Sequence, residues 1–251
     1  MFLSLEGIDG SGKSTQATRL ADTLRAAGHD VVQTREPGGA PGAEEIRRLL
    51  VEGDPERWSP ETETLLFNAA RRDHLERTIR PALEAGKIVI TDRFADSTRV
   101  YQGATRGDLR GFADAIHKAA IGVEPDLTLI LDMDPKIALK RSLERLAASE
   151  AARSASEAAL AALEDGAPHA LHASEAAANA ASIAGAVNMI EDGTMPEDRF
   201  ETFGPLFQQK LRAGFLSLAR EFPARCHVIN AGREADAIAA DIRALVLGRL
   251  T

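Results

Sequence analysis

The chain has a single cysteine, Cys226, among 251 residues. One thiol cannot close an internal disulfide, so the fold must hold by packing alone, and a reducing cytoplasm is the expected location. Basic charge is also scarce: 30 Lys and Arg against 38 Asp and Glu leave a net charge of -8. A protein that coats nucleic acid needs a basic face to neutralise many phosphates, so no nucleic-acid partner is expected. A small basic pocket for one nucleotide is still permitted. Apolar runs stay well short of the roughly 18 residues that a membrane-spanning helix needs, which argues against a membrane partner. The opening MFLSLEGIDG carries no basic stretch ahead of a long apolar one, unlike a secretory signal. Metal-ligand spacing is missing from the six histidines. Cys226 and His227 are adjacent in a strand pattern and so point to opposite faces. All six histidines read as surface or core residues.

With 44% hydrophobic and 27% charged residues, the chain has enough apolar surface for one full core. Short apolar runs at Phe2 to Glu6, Asp30 to Thr34, Lys87 to Asp92, Asp126 to Asp132 and Cys226 to Asn230 read as five strands. Runs such as IVI and LTLIL are continuous rather than alternating, as in strands buried on both faces. Helical patterns over 13–27, 42–52, 61–84, 108–121, 135–148, 198–221 and 234–249 alternate with them. That rhythm predicts βαβ units and a parallel sheet. Residues 147–195 break it with a stretch dominated by Ala, Ser and Glu. Ser154 with Glu157 fits a capping box, and Gly166 with Pro168 fits a stop, so two helices joined near Asp165 to His169 are expected. Small side chains bury little area, so this segment is predicted to be a mobile helical insertion.

Gly7-Ile8-Asp9-Gly10-Ser11-Gly12-Lys13-Ser14 matches G-x-x-x-x-G-K-[ST], with Thr15 following. Glycines let backbone N–H groups converge on phosphates, Lys13 reaches the β- and γ-oxygens, and Ser14 offers a hydroxyl to Mg²⁺. The helix that follows aims its positive end at the same anion. ATP and Mg²⁺ are the expected cofactors. GTPases share this loop, but no Asn in the chain is followed by Lys, so the guanine-reading N-K-x-D signature is absent. The second strand leads into Thr34-Arg35-Glu36-Pro37-Gly38-Gly39, which puts a cation at the ligand-binding edge of such a sheet. Phe67 and Arg71 are four apart in a helical pattern and share a face, as a base-stacking ring and an edge-reading guanidinium would. Asp92, ending a buried strand beside a P-loop, is placed to bind Mg²⁺ or its waters, and Arg93 can bridge donor and acceptor phosphates.

Together EGIDGSGKST, TREPGG, EEIRR, LLFNAARRDH, DRFADSTRVYQG and PDLTLILD, in that order, resemble the thymidylate kinase family. The resemblance runs through residues 1–145 and resumes at EDRFE. It implies a three-layer α/β sandwich of P-loop kinase type with strand order 2-3-1-4-5. It also implies a homodimer, and phosphorylation of dTMP by ATP to give dTDP for dTTP and DNA synthesis. By the same resemblance, Phe67 would stack on thymine, and Arg71 and Gln102 would read its polar edge. Tyr101 would crowd the sugar C2′, and Asp9 would accept a bond from the 3′-hydroxyl. Arg35, Arg47 and Arg93 would hold the acceptor phosphate. Glu36 and Pro37 would shape that pocket, with Ser97 and Thr98 lining it. Some members carry an arginine in the P-loop where this chain has Gly10; others supply it from a lid. Here the lid candidates are Arg141, Arg145, Arg153 and Arg199, with Arg199 in the closing EDRFE motif favoured.

Overall fold

The computed structural model describes residues 1–52, 57–103, 107–164 and 204–250. Five parallel strands form one sheet in the order β2-β3-β1-β4-β5: β1 (Phe2–Glu6), β2 (Val31–Arg35), β3 (Ile88–Asp92), β4 (Leu127–Asp132) and β5 (Cys226–Asn230). The resemblance implied this order. The three central strands are buried along almost their whole length, whereas the edge strands β2 and β5 are half-buried. Continuous apolar runs therefore mark the middle of the sheet, where both faces are covered.

Alternation along the strands builds two cores. Leu3, Leu5, Ile88 and Ile90 face one side with Leu20 and Leu24 of α1 (Lys13–Ala26). Phe2 and Val89 face the other side against Leu75, Ile79, Phe94 and Ile121. Helices on both faces give the three layers. The remaining helices are α2 (Pro41–Val51), α3 (Pro60–His74), α4 (Arg80–Glu84), α5 (Ala95–Tyr101), α6 (Arg110–Ile116), α7 (Pro135–Glu164), α8 (Gly204–Glu221) and α9 (Ala235–Leu250).

Several boundaries differ from the sequence reading for identifiable reasons. The single helix expected over 61–84 is interrupted by a π turn at Leu75–Ile79 just ahead of Pro81. Proline lacks an N–H and would press on the carbonyl four residues back, which a wider turn relieves. The helix expected over 108–121 likewise ends in a π turn, His117–Ile121, stopped by Gly122 at φ 66°. Helix α5 was not anticipated, because Ser97, Thr98 and Val100 depress its propensity. The helix expected to end at 148 instead continues to Glu164. Alanine is the best helix former and no breaker precedes Glu164, so the capping-box pair Ser154 and Glu157 lies mid-helix. The expected break at Asp165 to His169, the rest of the insertion to 195, and Arg199 lie outside the described residues.

Candidate active site

Because all five strands run the same way, their C-terminal ends share one edge. In spatial order that edge carries Arg35, Asp92, Glu6, Asp132 and Asn230. Ligands bind at this edge in open parallel sheets. The Gly7 to Ser14 turn rises from it between β1 and α1. Gly12, at φ 94°, is the residue ahead of α1, and a Cβ there would meet no atom within 4 Å. The α1 N-terminus is thus open to an anion. Gly10, at φ 79°, is the opposite case: a Cβ would lie 2.0 Å from the Ala138 carbonyl oxygen of α7. The first turns of α7 therefore press directly on the P-loop, and no side chain fits at position 10. Lys13 donates through Nζ to the Gly7 and Ile8 carbonyls at 3.1 and 3.0 Å. Ser14 Oγ donates to Asp92 Oδ2 at 2.5 Å, while Asp92 Oδ1 is buried with no hydrogen-bond partner among the described residues.

Beside the P-loop lies a cavity, open to solvent, lined by Glu36, Pro37, Phe67, Arg71, Arg93, Phe94, Ser97, Thr98, Tyr101 and Gln102. The structure thus brings together the residues expected to bind the acceptor, apart from Asp9, Arg35 and Arg47. Phe94 was missed by sequence reading. Its burial in the second core and its edge-on contact with Phe2 at 4.9 Å explain why it looked like packing alone. Arg71 is held rigidly. Its Nε donates to Glu36 Oε2 at 2.7 Å, and its Nη2 donates to the Phe94 carbonyl at 3.1 Å and Thr98 Oγ1 at 3.0 Å. Both members of the Arg71–Glu36 pair are buried, so removing Glu36 would strand a charge at a cost of about 3–5 kcal/mol. The other Glu36 oxygen lies 3.1 Å from His74 Nδ1, and His74 Nε2 lies 2.7 Å from Thr34 Oγ1. His74, read from sequence as ordinary, thus helps orient a carboxylate of the cavity wall. Its spacing from Arg71, three positions along one helix, was the available signal.

Arg93 connects the two halves. Its backbone is left-handed at φ 72°. From there its guanidinium pairs with Asp9 in the P-loop and donates to Ser97 Oγ at 3.0 Å and Tyr101 Oη at 3.1 Å. Tyr101 in turn donates to Asp9 Oδ2 at 2.7 Å. Burial opposes ionisation of Asp9, but Arg93, Lys13, the Tyr101 hydroxyl and Arg145 hold its pKa down to about 2. Gln102 donates through Nε2 to the buried Glu63 at 3.2 Å. The two other arginines expected at the acceptor phosphate do not line the cavity. Arg47 donates to the Pro37 carbonyl at 2.7 Å, and Arg35 pairs with Glu44 at 3.2 Å, its buried Nε having no partner among the described residues.

A phosphate-cradling loop joined through one arginine to a second cation-lined cavity defines a P-loop kinase with a small nucleotide as acceptor. A family model described as thymidylate kinase matches residues 5–173. A thymidylate kinase of Jannaschia sp. (strain CCS1) is 58% identical over 250 residues, spanning 100% of this chain and 97% of that one. One of Ruegeria pomeroyi is 53% identical, spanning 100% and 96%. The crystal structure of thymidylate kinase from Ehrlichia chaffeensis superposes with a TM-score of 0.64 at 29% identity, covering 98% of each chain. The chain belongs to the thymidylate kinase family.

Proposed function

We infer that the chain transfers the γ-phosphoryl group of ATP to the phosphate of dTMP, giving ADP and dTDP. The observation that carries this reading is Arg93. One guanidinium reaches both the Gly7 carbonyl and Asp9 of the P-loop and the Ser97 and Tyr101 hydroxyls of the cavity. An acceptor phosphate drawn to Arg93 would face the γ-phosphate held over the α1 N-terminus, and its oxygen would attack in line. Phosphoryl transfer passes through a loose transition state whose charge lies on equatorial oxygens, so fixed cations supply most of the catalysis.

Phe67 stacks on the thymine ring in this reading. Arg71 and Gln102 address its polar edge. Glu63 holds the Gln102 amino group, which leaves the amide oxygen for the ring N3–H. The Tyr101 ring, pinned by Arg93 and Asp9, crowds the sugar C2′ and disfavours a ribose hydroxyl. Asp9 keeps lone-pair capacity for the sugar 3′-hydroxyl. Arg47 braces the Glu36–Pro37 wall through the Pro37 carbonyl, and Arg35, at the end of β2, adds positive charge on the acceptor side.

Ser14 and Asp92 would hold Mg²⁺. Asp92 Oδ1, without a partner among the described residues, and the Ser14 hydroxyl make a donor set of hard oxygens suited to it. The ion would offset charge on the β- and γ-phosphates. For the lid cation, Arg199 of the EDRFE motif is favoured, and Arg145 on α7 is the alternative among the described residues, since its charge acts on Asp9. The reading includes a homodimer in the cytoplasm, with residues 147–195 as an outgrowth of the lid.

A coupled ADP-release assay with dTMP, dUMP, UMP and AMP tests the assignment. Turnover should be fastest with dTMP, weaker with dUMP and weakest with UMP and AMP. ADP release that ignores the acceptor would instead mark a nucleotide-switch protein.

A further inference from the structure

Glu6, the last residue of β1, is fully buried and has no part in the reaction as derived so far. Its Oε1 accepts the Phe94 N–H at 2.8 Å, and its Oε2 accepts the Ser97 hydroxyl at 2.6 Å. Ser97 Oγ is itself the acceptor for Arg93 Nη1. One residue earlier, the Leu5 carbonyl accepts the Arg93 N–H at 3.0 Å. The end of β1 therefore grips the turn at Arg93, Phe94 and Ser97. That turn needs gripping, because left-handed backbone at a non-glycine residue persists only where its surroundings over-determine it.

We propose that Glu6 is a positioning residue for phosphoryl transfer: acting through Ser97, it holds the Arg93 guanidinium between the P-loop and the acceptor cavity, and it does so as a carboxylate. The hydrogen-bond polarity sets the last part. Both oxygens of Glu6 accept, so the Ser97 proton points down at Glu6 and its lone pairs face Arg93. A proton on Oε2 would reverse that bond, turn the Ser97 hydrogen toward the guanidinium and weaken the hold.

Burial first, then the nearby Asp96, pushes the Glu6 pKa up to about 7, against the opposing pull of Ser97, Arg93 and the Phe94 amide. The charged surroundings are otherwise balanced. Asp96 of α5 is paired with Arg99 and Arg225, and the Cys226 thiol of β5 is pushed up to about 12, so it stays neutral. Asp9 and Lys13 of the P-loop lie beyond Arg93. A raised carboxylate pKa means that the folded chain holds a proton which the unfolded chain releases near pH 4.5. Stability should then fall as pH rises from 4.5 through 7, while the competent, ionised form accumulates.

The proposal rests on Arg93 as the bridging cation. The test is kcat at saturating ATP and dTMP from pH 5.5 to 8.5 for wild type, Glu6→Gln and Ser97→Ala, with melts to confirm folding. Wild-type kcat should rise through a limb near pH 7. Both variants should run about tenfold slower at pH 8, as expected for loss of a hydrogen bond to a charged group, and should lose that limb while KM for ATP is unchanged. The acceptor phosphate itself ionises near pH ~6 in all three proteins, so only the component that differs among them reports Glu6. A wild-type pH dependence in Glu6→Gln overturns the proposal. If that variant does not fold, the same result in Ser97→Ala overturns it. A near-normal rate in Arg93→Ala would instead remove the bridging cation, so the two failures are distinct.

Discussion

Replacing Gly10 by alanine tests how the P-loop and the start of α7 are built against each other. Two costs add. The backbone at φ 79° is left-handed, which costs a residue with a Cβ about 1–2 kcal/mol. The new methyl would also sit 2.0 Å from the Ala138 carbonyl oxygen, against main chain that cannot swing aside like a flexible side chain. Overpacking of that kind costs about 1–3 kcal/mol. A total of about 3 kcal/mol corresponds to a melting point lower by roughly 6–12 °C for a chain of this size. Gly12→Ala is the control. It has the same left-handed backbone, at φ 94°, but nothing within 4 Å of its Cβ, so only the first cost applies. Thermal melts of the three proteins without nucleotide give the comparison. Equal destabilisation by Gly10→Ala and Gly12→Ala would refute the contact between α7 and the loop. The same contact explains why a P-loop arginine has no room here.

Phe67→Ala should raise KM for dTMP about 5- to 150-fold, from a base–aromatic stack of about 1–3 kcal/mol, and leave KM for ATP unchanged. A matching rise for ATP would contradict its placement in the acceptor cavity. Asp92→Asn should raise the Mg²⁺ concentration needed for half-maximal rate, with KM for dTMP unaffected. An unchanged Mg²⁺ titration would remove Asp92 from the metal site.

Much of this was legible in the sequence because the informative residues are local. The P-loop is one contiguous turn, and the strand patterns miss by no more than one residue: at both ends of β2, where the half-buried edge blurs the signal, and at the starts of β3 and β4. Phe67 and Arg71 could be put on one face by helical spacing, whereas Tyr101 and Gln102 were singled out by the family resemblance alone. Long-range partners were not legible. Glu6 looks like the polar end of a strand until its oxygens are seen on Phe94 and Ser97, residues 88 and 91 positions away. His74 looks like core until Glu36 is found beside it, 38 positions away. Helix α5 is imposed by those same contacts against its own propensity, so no local rule announces it. Gly10 could be read as lacking an arginine, but the Ala138 carbonyl that forbids one belongs to a helix 128 positions on.

The most direct test of the account is the turnover of Arg93→Ala at saturating ATP and dTMP. Losing the cation that spans both anion sites should lower kcat by about 10²–10³, the scale of one removed electrostatic stabiliser, with the melting transition still cooperative. A near-normal kcat would show that donor and acceptor phosphates are not bridged there.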